Sequence, residues 1–324
     1  MLHLRIIAPD DRTDDVAELL TEHPAVTNLV VLPGAARSPV GDVVMCDVAR
    51  EAANQILEAL DGLGIDHDGS IAVERVDMAI SDRAESAKEL APGHSDDAVV
   101  WAEFGRRVDE SSLLTWSFVA FLAIAVQIAA IGILVDSPIL IVGSMVLGPE
   151  FGPIAAICFG LLRRRPRLIR SAVSTLLIGF VAAIAVTWLC AFVSYKIGWI
   201  DGGWLDGVGR ETQFIVKPDR WSFIVALLAG AAGMLSMTSD KSTALVGVFI
   251  SVTTVPAAAY IAVALAVAHW AEVTPSLVQL GVNLGGMIVA GLATLIVLRI
   301  VWGKAGLRER VARKVRARSS RVSR

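Results

Sequence analysis

The chain has 324 residues, 55% of them hydrophobic, and a mean hydropathy of +0.63. Its formal charge of −3 conceals a split: residues 1–112 hold 23 of the 32 acidic and 9 of the 29 basic side chains, a balance of −14 against +11 for the remainder. An acidic first third is the wrong sign for a phosphate backbone, so no nucleic acid is expected as partner. Runs of about 20 apolar residues from Leu113 onward instead imply helices crossing a lipid bilayer.

Residues 1–80 predict a small α+β domain. His3–Ala8 alternates like a strand, and 10–23 carries Val16, Leu19 and Leu20 on one helical face, with aspartates in its first turn. Residues 26–32 and 40–48 read as two strands of a hairpin, with 33–39 as turn. Residues 51–63 form an amphipathic helix closed by Gly62 and Gly64, and 70–80 alternates again. The order is βαββαβ, the ferredoxin-like plan, and small domains of this plan often bind ligands and pair. Residues 1–12 lack the basic start and apolar stretch of a signal peptide, so a cytoplasmic domain is expected.

Residues 81–112 predict a polar linker containing Pro92 and Gly93, then an amphipathic helix over 98–108 lying on the membrane surface. Residues 113–300 predict six transmembrane helices, at 113–134, 138–162, 172–195, 221–237, 244–268 and 277–298, followed by a basic tail at 301–324. The arginines at 163–165, 167 and 170 and the basic residues from Arg299 onward place the loop after the second span and the C-terminus in the cytoplasm, together with the N-terminus. This is the layout of a multi-pass protein of the cell membrane.

Three spans per half give the halves opposite orientations, and the middle span of each carries proline. The second contains Ser144, Gly148, Pro149, Glu150, Gly152 and Pro153, and the fifth contains Thr253, Thr254 and Pro256. Broken helices at matching positions of inverted repeats point to a central transport site. Residues 145–154 (MVLGPEFGPI), the arginine-rich loop, Gly230–Gly233 (GAAG), and Val255-Pro256 followed by Asn283 resemble the uncharacterised hydrophobic membrane-protein family known as domain of unknown function 389. The resemblance implies a six-span hydrophobic domain and no established activity. It also implies a second proline after Pro256, where this chain has Ala257.

Glu150 stands out because a carboxylate in an apolar run faces a cavity, a partner or a pathway. An interfacial pairing with Arg163–Arg165 is the structural alternative. Gln127 and Asn283 are read as single amides within spans, bonding between helices. Thr253 and Thr254 either satisfy carbonyls released by Pro256 or line a pathway. Gly281 and Gly285 have the spacing of a helix-packing or oligomerisation motif. Asp136-Ser137-Pro138 reads as a helix cap, and Asp240 and Lys241 as a solvated turn. Cys46, Cys158 and Cys190 form neither a disulfide framework nor a zinc spacing, and Asp66-His67-Asp68 reads as a solvated turn. No nucleophile–base set, paired carboxylates or phosphate loop occurs, so neither enzyme activity, cofactor nor metal is expected. The function expected is transport or conduction of a small solute or ion, regulated by ligand binding to the soluble domain. The alternative is a membrane-anchored sensor or scaffold, and a homo-oligomer suits both.

Overall fold

The computed structural model describes residues 1–76, 81–83, 85, 87, 99–200, 220–239 and 253–322, from Trp302 onward by backbone alone. Two compact units divide within one helix, between Glu103 and Phe104, with 299–324 grouped with the first.

In the first unit, β1 (Leu2–Ala8), α1 (Thr13–Thr21), β2 (Val26–Arg37), β3 (Val40–Val48), α2 (Ala53–Gly62) and β4 (Ser70–Arg75) follow in order. The four strands form one antiparallel sheet of order β2-β3-β1-β4. Alternation places Leu4 and Ile6 on one face, opposite Cys46 and Val44 on β3 and Val73 and Ile71 on β4. Val16 and Leu20 of α1 and Ile56 and Leu60 of α2 close that face into one core. Each such buried aliphatic side chain contributes about 1.5–3 kcal/mol of transfer free energy.

The expected turn at 33–39 is strand as far as Arg37. Gly34 adopts φ 61°, which glycine tolerates, and its N–H donates to Asp42 Oδ1 at 2.6 Å, so the ladder passes through a bulge. That bond, helped by the Thr13 hydroxyl, holds the Asp42 carboxyl below its usual range. Burial, with the neighbouring Asp47 charge, pushes the Cys46 thiol up to about 12, which makes it inert. The last strand ends at Arg75, and 77–80 lie outside the described residues.

α3 (Trp101–Ser111) starts later than the expected 98–108 helix. Its start is fixed in the first unit by Asn54, whose amide donates to Val99 O (2.6 Å) and accepts from Trp101 N (2.9 Å). In the second unit Phe104 packs edge-on against Phe159, Arg107 donates to Met237 O, and Asp109 pairs with Arg165 at 3.1 Å.

The second unit continues with α4 (Trp116–Leu134), α5 (Pro138–Leu147), α6 (Phe151–Arg163), α7 (Pro166–Lys196), α8 (Arg220–Thr238), α9 (Thr254–Ala266) and α10 (Trp270–Val322). Four of these helices are long and apolar enough to cross a membrane: α4, α7, α8 and the Trp270–Val301 part of α10. α5 and α6, bent by 50° about a short break, pass the same test together and would make a fifth if the pair is one span. α9, at 13 residues, is apolar but shorter; residues 244–252 of the expected fifth span, and Asp240 and Lys241, lie outside the described residues.

Glycines set the closest approaches. A Cβ on Gly230 would lie 2.6 Å from Met287 O and 2.7 Å from Met287 Cα, so α8 and α10 touch backbone to backbone there. Gly233 receives the Phe151 ring. Gly281 and Gly285 have nothing within 4 Å, so among the described residues they make no close approach within the chain. At the α4–α5 turn, Pro138 opens α5 as expected, but Ser137 makes no side-chain cap bond. Its backbone N–H donates to Gly132 O (2.8 Å) instead.

Candidate functional site

Pro149 and Pro153 explain the break. Proline lacks an N–H and clashes with the preceding turn, so a helix ends before it and restarts with it in the first turn. α5 stops at Leu147, Gly148 is extended, and Glu150 is the N-cap residue of α6, with Pro153 third in that helix. The break lies ten residues, about 15 Å, from the Pro138 end and 13 residues, about 20 Å, from the Arg163 end.

α9 repeats the pattern. Thr253 is its N-cap residue, Pro256 its third, and it too has 13 residues. Pro256 therefore sits in the first turn of α9. Ala257, where the family resemblance implies a second proline, donates its N–H to Thr253 O at 3.3 Å and so closes the first turn.

Neither N-cap side chain caps its own helix. Glu150, 5% exposed, accepts the Thr254 hydroxyl on Oε1 at 2.5 Å, joining the starts of α6 and α9. Thr253 Oγ1 accepts from Asn283 Nδ2 (2.8 Å) and from Gln279 Nε2 (3.2 Å), both on α10. On these side chains three buried acceptor atoms have no hydrogen-bond partner: Glu150 Oε2, Gln279 Oε1 and Asn283 Oδ1. Gly148 makes room for the acid, since a Cβ there would overlap the carboxylate and lie 3.0 Å from Val255 Cγ2.

The structure thus brings together Glu150, Gly148, Thr253, Thr254 and Asn283, framed by Pro149, Pro153 and Pro256. The interfacial pairing of Glu150 is replaced: Arg165 bonds Asp109, and Arg163 lies over the Phe159 ring. Ser144 is fully buried and returns its hydroxyl to Ile141 O (2.6 Å), and Gly152 lies against Ser111. Gln127 is half-buried on α4 and bonds neither Glu150 nor Thr253. Asn283 is not a lone amide. Gln279 precedes it by one turn on the same face, and that four-residue spacing of two amides in an apolar run was the available signal.

Four helices long and apolar enough to cross a membrane, or five with the bent α5–α6 pair counted as one span, indicate a multi-pass membrane protein. Residues 145–289, which hold the Glu150 cluster, match the family described as Domain of unknown function (DUF389). The chain is also 27% identical over 135 residues to the uncharacterized protein MJ0678 of Methanocaldococcus jannaschii. That similarity covers 42% of this chain, and the chain spans only 39% of the relative's length. No solved structure matches.

Proposed function

We propose that the protein is a transporter or channel for a small solute or ion, with the Glu150 cluster on its path. The observation that carries this reading is a buried carboxylate, half unpartnered, where two helices begin inside the apolar unit. A charged group at such depth is costly unless it serves a pathway or a bound partner. The shared length and proline position of α6 and α9 favour a six-span arrangement of two inverted three-helix repeats, with 244–268 as the fifth span. The strand order of the first unit favours a ferredoxin-like domain that regulates transport by binding a small molecule. Charge asymmetry favours cytoplasmic termini in the cell membrane, and the open Gly281 and Gly285 favour a homo-oligomer. On this reading the protein is not an enzyme and needs no cofactor.

The test is ion flux in proteoliposomes, comparing the wild type with Glu150→Gln across cations, anions and pH. Flux lost in a folded variant supports the reading, and flux unchanged by the substitution rejects a path through Glu150. A second reading, a membrane-anchored sensor or scaffold, is favoured by one feature. The edge strand β2 leaves Val30, Val31 and Leu32 exposed, and an apolar edge is a ready partner surface. A folded wild type without flux would favour it.

A further inference from the structure

We propose that the Glu150 cluster binds a small monovalent alkali cation of the Na⁺ class. This rests on the transport reading and names the charge of what the site takes. The three unpartnered atoms are all acceptors: a carboxylate oxygen and two amide oxygens, on side chains 5%, 0% and 1% exposed. Acceptors cannot satisfy one another. Unless a cation or a proton donor meets them, each forfeits its solvation.

The amides are held so that their oxygens stay available. Each donates one N–H to the single Thr253 Oγ1, which fixes the orientation of both amides. The Thr254 hydroxyl in turn fixes one oxygen of Glu150 and leaves the other. An anion would meet a carboxylate and two carbonyl dipoles, so it is the wrong sign for this set.

Donor chemistry narrows the cation. Carboxylate, amide and hydroxyl oxygens are hard ligands that suit alkali and alkaline-earth ions, whereas copper, zinc and iron favour imidazole or thiolate. Among the described residues, no three His, Cys, Asp or Glu side chains cluster. Calcium sites draw on several carboxylates. One carboxylate with neutral oxygens carries a single negative charge, which a monovalent ion neutralises. Such compensation matters most where the surroundings are apolar.

The test uses the full chain in lipid nanodiscs at constant ionic strength, with NaCl exchanged for LiCl, KCl or choline chloride. Ligand at 100 times Kd shifts the unfolding equilibrium about 100-fold, which reads as a Tm rise of roughly 5–10 °C. The expected result is a saturable rise with Na⁺ over choline and retention of radioactive Na⁺. Both should be lost in Glu150→Gln and weakened at least tenfold in Asn283→Ala, which keeps the carboxylate if the first variant fails to fold. Equal Tm in all four salts would overturn the proposal. So would a rise produced by acid alone and equal in every salt, since a proton then fills the role. Na⁺ binding in a protein without flux would uphold the site and reject the transport reading. Glu150-dependent flux without cation binding would do the reverse.

Discussion

Gly230→Ala is a single added methyl with a calculable consequence. Its Cβ would lie 2.6 Å from Met287 O and 2.7 Å from Met287 Cα. Ordinary carbon contacts are about 3.5–4.0 Å, so α8 must retreat from α10 by about 1 Å. The obstacle is backbone, which no rotamer change removes. Overpacking of this kind costs about 1–3 kcal/mol. For a unit of this size that is a fall in Tm of roughly 3–10 °C. The control is Gly281→Ala, on α10 itself, where nothing lies within 4 Å. There alanine adds only helix propensity, up to about 1 kcal/mol in the stabilising direction. Thermal unfolding of both variants in one detergent, followed by monodisperse size-exclusion recovery, measures the difference. Equal midpoints for the two, or a more stable Gly230→Ala, would refute the close packing of α8 on α10.

Gly148→Ala should displace the Glu150 carboxylate and lower flux at least tenfold in a protein that still folds, as proteoliposome flux beside a size-exclusion profile would register. Asp42 has a lowered folded pKa, so its bond to Gly34 stabilises the hairpin above the ordinary carboxylate range and is lost as pH falls through the folded value. Hydrogen exchange of the 31–43 segment, corrected for intrinsic rates, should therefore loosen below about pH 4, and Asp42→Asn should abolish that dependence. Cys46, with its thiol pushed up to about 12, should resist maleimide at pH 8 until the protein is denatured. Breaking the Asp109–Arg165 pair by Arg165→Ala should change stability by no more than about 1 kcal/mol, because both partners are about half exposed.

The first domain was legible because alternation and amphipathic faces report burial directly. Alternation in 3–8 marks the first strand, and Val16, Leu19 and Leu20 mark the inner face of the first helix. Residues 33–37 were misread as turn because Pro33 and Gly34 signal one, whereas the bond from Gly34 to Asp42 carries the strand past them. In the second unit, proline marked the breaks, but its position within a helix was invisible: Pro256 reads equally as an interruption or a start. Gln279 was overlooked because it lies two residues from the start of the predicted 277–298 span, where an amide passes as interfacial. The glycine spacing does not locate the packing within the chain. Gly281 and Gly285 match a packing motif, yet Gly230, Gly286 and Gly291 carry the close approaches on α8 and α10. Spacing fixes a shared face and says nothing about what faces it.

The central claim is that water and ions reach Glu150. It is tested most directly by cysteine accessibility at the site, in a background with Cys46, Cys158 and Cys190 replaced. Thr254→Cys and Asn283→Cys in native membranes would be exposed to a membrane-impermeant thiol reagent, with and without Na⁺. Labelling of both from one side of the membrane, slowed by Na⁺, is the predicted result. Labelling only after denaturation would mean a dry, sealed cluster and would contradict the account.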